Sequence, residues 1–221
     1  MPQATVHLLR HGEVYNPDGV LYGRLPEFHL SELGQEMARM LAEHFSARAA
    51  QGANIVHLVA SPLTRAQETA QPIAEALNLG ITTEDRIIEA ANYFEGLHVN
   101  KGEIFRPKHW PMLRNPFRPS WGEPYKVQAA RVIAAVQDAR LRAIELGGEG
   151  AEAILVSHQL PIWATRLSAE GRPLWHDPRK RECTLTSVTS LVFDDAGNLL
   201  RVEYSEPAAA LLPGASSTPG A

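Results

Sequence analysis

Val6-His7-Leu8-Leu9 runs straight into Arg10-His11-Gly12, and that junction decides the fold. A short, mostly apolar run bounded by a glycine reads as a buried β-strand. A cation, an imidazole and a flexible backbone therefore stand where the first strand ends. In an open α/β sheet, ligands gather outside the carboxyl ends of the strands. His11 is thus placed to touch one.

Outward from that strand, similar runs recur at about 5 to 9, 54 to 60, 152 to 157 and 185 to 193, with helical patterns between them. This alternation predicts the α/β class, with three α/β/α layers and a mostly parallel central sheet. Ser31 is a candidate cap for a helix running to about Ala50, with Leu33, Met37, Met40, Leu41 and His44 or Phe45 on one apolar stripe. After Ile55-Val56-His57-Leu58-Val59-Ala60, Ser61 is an N-cap candidate and Pro62 suits the first turn. The helix they start ends near Leu79-Gly80, with Arg65 in its first turn. A long helix is expected from about Tyr125 to Leu146, closed by Gly147-Gly148, and Ser157-His158 again follows a strand end. Leu185 to Phe193 and Leu199 to Tyr204 flank Asp194-Asp195-Ala196-Gly197-Asn198, which predicts an antiparallel hairpin. The expected organisation is one domain over residues 1–206 and a loose tail over 207–221.

The composition fits that picture. The chain has 221 residues, 44% apolar and 21% charged, enough for one core of its own. Lys plus Arg number 21 against 25 Asp plus Glu, and no long basic run follows a nucleic-acid backbone, so nucleic acid is not an expected partner. Cys183 is the single cysteine and forms no internal disulfide. The opening MPQATVHLLR lacks a basic segment followed by a long apolar one, and no window approaches a membrane-spanning length. These features predict a cytoplasmic protein with no membrane partner; a homo-oligomer is compatible with them.

Residues 94–124 stand apart. Pro107, Pro111, Pro116, Pro119 and Pro124 prevent a long regular element, so the stretch reads as an insertion or lid. Lys101, Arg106, Lys108, Arg114 and Arg118 make it basic, which fits either a solvated surface loop or a clamp for a second acidic group of a substrate.

Three segments deliver polar groups from strand ends: Arg10-His11-Gly12, Ser61-Pro62-Leu63-Thr64-Arg65-Ala66 and Ser157-His158. Together they point to phosphoryl transfer. A phosphate ester repels nucleophiles until fixed cations spread its charge, and the planar fork of arginine does this without deprotonating. Arg10 and Arg65 are the expected clamp. A neutral imidazole whose Nδ1 proton is held by a carbonyl presents its Nε2 lone pair to phosphorus, which suits His11. Gly12 lets backbone approach the phosphate closely, and His158 donates to an oxygen that gains charge. Glu89, in Arg86-Ile87-Ile88-Glu89, is the candidate acid for the leaving oxygen, with Glu95 its nearest competitor. His7, His29, His44, His57, His98, His109 and His176 lack metal-ligand spacing, so neither metal nor cofactor is expected. Cys183 reads as a quiet packed thiol.

These motifs resemble the histidine phosphatase superfamily, also called phosphoglycerate mutase-like. Leu8-Leu9-Arg10-His11-Gly12-Glu13 looks like the family's opening, Ala60-Ser61-Pro62-Leu63-Thr64-Arg65-Ala66-Gln67-Glu68-Thr69-Ala70 like its second signature, and Ser157-His158 like its third. The resemblance implies that His11 is the phosphorylated nucleophile, that Arg10, Arg65 and His158 complete the phosphate pocket, and that Glu89 is the acid. It spans about Val6 to Phe193. Family members often carry glycine after the second histidine, where this chain has Gln159, a larger side chain that fits either an amide reaching substrate or a residue that only narrows the pocket. They often carry an asparagine six residues after the nucleophile, whereas Asn16 lies five after it. Arg24, in Tyr22-Gly23-Arg24, falls in the segment that borders substrate in relatives and fits a surface cation equally well. The implied activity is that of a histidine acid phosphatase-type phosphomonoester hydrolase acting on a small phosphorylated metabolite. The alternatives are a cofactor-dependent phosphoglycerate mutase-type phosphotransferase and a catalytically silent phosphate-binding module. The stretch ending in Trp121-Gly122-Glu123-Pro124-Tyr125 looks more like the phosphatase branch.

Overall fold

The computed structural model describes residues 3–98, 106–113 and 121–215. Its centre is a six-stranded sheet built from β1 (Ala4–Arg10), β2 (Asn54–Ala60), β3 (Ile81–Thr83), β4 (Ala151–Ser157), β5 (Val188–Phe193) and β6 (Leu199–Ser205), in the order β3-β2-β4-β1-β5-β6. The pairings β2 with β3, β2 with β4 and β1 with β4 are parallel, while β1 with β5 and β5 with β6 are antiparallel. The mostly parallel sheet and the terminal hairpin are as the sequence predicts. β3 is an addition: three residues on an edge are too few for a periodic signal.

Helices cover both faces. α1 (Glu32–Ala50) and α2 (Thr64–Leu77) lie on one, α3 (Tyr125–Gly147) and α4 (Gln159–Ala169) on the other. Because side chains alternate along a strand, β4 splits between two cores. Ala151, Ala153 and Leu155 pack with Val132, Val136 and Ile162, whereas Ile154 and Val156 pack with Leu41, Phe45 and Ile73. That continuous burial makes the central strands read as unbroken apolar runs.

Helix ends follow local chemistry. Ser31 caps α1 by accepting from the Gly34 N–H at 2.9 Å. Gly148, at φ 74°, closes α3 in a backbone conformation that glycine adopts without strain. The expectation for α2 needs correction. Its cap position is Leu63, whose side chain makes no capping bond, and the helix starts at Thr64. The Ser61 hydroxyl is engaged elsewhere, with His158. Arg65 remains in the first turn, and Asn78, in the left-handed region, ends the helix at Leu77, before the expected Leu79-Gly80.

Two further stretches differ from the sequence reading. Thr186 sits at φ 55°, which delays the fifth strand from Leu185 to Val188. Beyond Pro207, Ala208 is buried and Ala209–Gly214 form a 3-10 turn against α1. Of the proline-rich stretch, Pro107–Leu113 form a 3-10 turn and His109 is buried against Tyr93 and Phe94. Lys101, Arg114 and Arg118 lie outside the described residues.

Register places the strand ends together. Arg10 pairs with Ser157 and Ala60 with Val156, so β1, β4 and β2 stop at one edge of the sheet. The residues that step off that edge are His11, His158 and Ser61.

Candidate active site

The step off the sheet is anchored by backbone bonds that continue the ladder. His11 N–H donates to Ser157 O at 3.1 Å and Ser61 N–H to Val156 O at 2.9 Å. The rings of His11 and His158, both fully buried, come to 5.2 Å between centroids. His11 Nδ1 lies 2.7 Å from the carbonyl oxygen of Gly12. A carbonyl only accepts, so Nδ1 carries the proton and Nε2 keeps its lone pair. Arg65 Nε donates to that Nε2 at 3.3 Å.

Arg65 reaches the imidazole because α2 begins beside it. Its guanidinium is completely buried, donates from Nη2 to Gly23 O at 2.6 Å, and stacks 4.7 Å from the centroid of the Tyr22 ring. Burial, then the Arg65 charge, then Arg10 push the imidazolium form of His11 well below its ordinary pKa, against a smaller pull upward from the Gly12 carbonyl. His11 is therefore neutral near neutral pH, as a nucleophile must be.

His158 is held by Ser61, whose Oγ lies 2.7 Å from Nε2. Its Nδ1 is buried with no hydrogen-bond partner among the described residues. Burial foremost, with the charges of Arg65, Arg10 and Arg131, keeps this ring neutral too. Arg10 donates from Nη1 to Cys183 O at 2.8 Å. Cys183 itself is buried, and burial pushes its thiol upward, away from the reactive thiolate.

Glu89 is buried, accepts the Ala90 N–H on Oε1 at 2.7 Å, and has no hydrogen-bond partner for Oε2 among the described residues. Sequence could not weigh burial against nearby cations here. Burial is the larger effect and raises the carboxyl pKa, despite the Ala90 N–H and the charges of Arg65, Arg181 and Arg10. Glu95, its competitor, instead accepts the backbone N–H groups of Arg24 and Asn92 at 3.1 and 3.2 Å. It ties a loop.

The remaining expected residues lie around this centre with other immediate partners. A Cβ on Gly12 would sit 2.6 Å from Gly34 O, and the Gly12 N–H donates to Thr69 Oγ1 at 3.1 Å. The missing Cβ lets the loop pack closely on α1. The Asn16 amide closes its own loop, bonding Val20 O at 2.9 Å and Val20 N–H at 3.2 Å. Arg24 donates to Glu89 O at 2.6 Å and to Glu123 at 3.0 Å. Gln159 donates to Cys183 O and accepts from Arg181, both at 3.2 Å. Sequence reasoning gave no site role to Tyr22, Arg131, Arg181 or Glu123, nor to Ser61 as the partner of His158. Glu123 meets Arg131 and Arg24, 8 and 99 residues away, and Ser61 meets His158, 97 away, so no local pattern marks these pairings.

Chemically, the site joins an uncharged imidazole with a directed lone pair, fixed guanidinium groups and a buried carboxyl biased toward its protonated form. Among the described residues, no group of three or more His, Cys, Asp or Glu side chains is gathered as for a metal ion. The sequence pattern of the histidine phosphatase superfamily (branch 1) matches residues 6–204. The chain belongs to that superfamily. It is 52% identical over 212 residues to the uncharacterized protein Rv0525 of Mycobacterium tuberculosis, covering 95% of this chain and 100% of the relative. It is 29% identical to the probable phosphoglycerate mutase GpmB of Enterobacter sp., covering 83% of each. Its fold superposes on the mycobacterial glucosyl-3-phosphoglycerate phosphatase Rv2419c with a TM-score of 0.71 and 25% identity, over 92% of this chain and 97% of the other. Among the described residues, no helix is long and apolar enough to cross a membrane.

Proposed function

We propose that this chain is a phosphatase that hydrolyses a small phosphorylated metabolite through a phosphohistidine on His11. The observation that carries the reading is the pairing of His11 Nδ1 with Gly12 O, which leaves Nε2 as a nucleophile beside Arg65. Arg10 and Arg65 balance the phosphoryl charge, and the neutral His158 donates a hydrogen bond to a phosphoryl oxygen. His11 Nε2 attacks phosphorus, the ester P–O bond breaks, and the leaving oxygen takes the proton of Glu89. A water then gives its proton back to Glu89 and attacks the phosphohistidine, which releases inorganic phosphate and restores the imidazole. Preorganised donors of this kind are each worth on the order of 10²- to 10³-fold in rate, and a placed general acid about 10²- to 10⁴-fold. The likeness to a phosphatase of the same fold supports hydrolysis.

The second reading is a mutase, favoured by the relative described as a probable phosphoglycerate mutase. There the phosphohistidine returns its group to another hydroxyl, and a bisphosphate primes the enzyme. One experiment separates the two. Purified protein is offered sugar phosphates, phosphoglycerates, nucleotides and phosphopeptides beside a His11→Ala control, with phosphate release and isomer formation both measured. Release without isomerisation, lost in the control, is the expected result. Interconversion of phosphoglycerates stimulated by a bisphosphate makes the protein a mutase, and phosphate or vanadate binding without any turnover makes it a silent module.

A further inference from the structure

We propose that Glu123 is a positioning residue that sets the place of the Glu89 carboxyl by clamping Arg24 and Arg131 onto the Glu89 backbone. The proposal rests on Glu89 being the acid of the hydrolysis described above.

Glu123 lies just before α3, where the chain returns alongside the acid. Its N–H donates to Ala91 O at 3.1 Å, Tyr93 N–H donates to Trp121 O at 2.7 Å, and Asn92 bridges Gly122. The segment two to four residues beyond Glu89 is thus stitched to residues 121–123. The Glu123 carboxylate then takes Arg131 on both oxygens, at 2.7 and 2.8 Å, and Arg24 on Oε2 at 3.0 Å. Arg24 comes from the loop after β1 and Arg131 from α3, and both turn to the same acceptor. Arg24 Nε donates to Glu89 O at 2.6 Å and Arg131 Nη2 to it at 3.4 Å, while Arg131 Nη1 also holds Arg86 O.

Two guanidinium groups on one carbonyl repel each other unless a counterion sits between them. Glu123 is that counterion, and its side chain is only 13% exposed, so water screens the arrangement little. The planar fork of each arginine fixes direction as well as distance. Through it the backbone of Glu89 is held from two sides. The side chain it carries faces Arg65 from α2, Arg10 from the end of β1 and Arg181 from the loop before β5. A small displacement there changes which oxygen of a bound ester the acid reaches. Glu123 touches no reacting group in this scheme; it acts through the arginines.

The test uses two esters of similar size in the full-length protein. p-Nitrophenyl phosphate expels a stable phenolate that needs little protonation, whereas phenyl phosphate expels a more basic one that needs the acid. For Glu123→Gln, kcat/KM on phenyl phosphate, which reports the ester-cleaving step alone, is expected to fall about 10-fold or more, within the range a general acid contributes, with kcat/KM on p-nitrophenyl phosphate changing by less than about threefold. The vanadate inhibition constant should hold. Glu89→Gln should show the same preference, and adding Glu123→Gln to it should cost nothing further. The uncompensated charge on Arg24 and Arg131 should also move the alkaline limb of the pH profile of Glu123→Gln to lower pH, and Glu123→Asp should recover part of the loss. Equal losses on both esters, a further loss in the double variant, or weakened vanadate inhibition would overturn the clamp while leaving the phosphatase reading intact. If Glu123→Gln fails to fold, Arg24→Gln removes one donor to the same carbonyl and must show the same ester preference in milder form. Wild-type protein that hydrolyses neither ester removes the phosphatase reading, and the clamp goes with it.

Discussion

Ser61 Oγ stands 2.7 Å from Nε2 of His158, so the residue after one strand orients the residue after its neighbour. Ser61 Oγ also receives the Leu63 N–H at 3.5 Å. The hydroxyl has one proton and two lone pairs, so it holds the ring either by donating to Nε2 or by accepting from it. Nδ1 is the atom with no other hydrogen-bond partner among the described residues.

Replacing Ser61 by alanine should therefore release the ring without emptying the site of cations. A hydrogen bond of this type is worth about 0.5–1.5 kcal/mol net, so kcat/KM should fall by roughly 2- to 10-fold. Steady-state kinetics checks this, and an unchanged kcat/KM in a folded Ser61→Ala protein would remove the orienting role.

His11→Ala should abolish turnover, because no other imidazole is held with a free Nε2 beside Arg65. Wild-type protein denatured during turnover in alkali, where a P–N bond survives, should carry one phosphoryl group on the peptide containing His11, read by mass spectrometry at neutral or alkaline pH. A label on His158 instead would reverse the roles of the two rings.

The pH dependence follows from two opposed shifts. Burial and Arg65 lower His11, so it stays neutral into acidic solution and is lost as nucleophile only when pH falls through that depressed value. Burial raises Glu89, so it stays protonated above the usual carboxylate range and is lost as acid when pH rises through that elevated value. The profile of kcat/KM should be a bell, whose limbs belong to the coupled site rather than to single residues. Glu89→Gln should flatten the alkaline limb. A profile in which that limb persists in Glu89→Gln assigns it to another group.

Gly34 should be more sensitive than its place on the first turn of a helix suggests. A Cβ there would lie 2.0 Å from Glu13 O, and one on Gly12 would lie 2.6 Å from Gly34 O. Overpacking against backbone costs about 1–3 kcal/mol or more, so Gly34→Ala should lower the urea midpoint clearly, and Gly12→Ala should do so as well. Equal midpoints for wild type and Gly34→Ala would mean that the loop and α1 separate cheaply.

Much of this molecule was legible in its residues. Apolar runs bounded by turn formers located the long central strands, because buried parallel strands need unbroken hydrophobic stretches. The Ser31 cap and the Gly147-Gly148 stop marked helix ends, since those signals act within a single turn. The motifs at the strand ends identified His11, Arg65 and His158, because a parallel sheet gathers those ends on one edge.

What the sequence left open is what depends on partners far along the chain. Whether burial or cations govern Glu89 was settled only when β1, α2 and the loop before β5 closed around it. Ser61 reads locally as a helix cap, and only the register of β2 against β4 turns it toward His158. Gly12 reads as a phosphate approach, and only the packing of α1 shows that a Cβ there would also meet Gly34 O. Local patterns fix backbone conformation through short-range sterics and hydrogen bonds, whereas the protonation and orientation of a buried side chain are set by desolvation and charges that tertiary packing alone brings within reach.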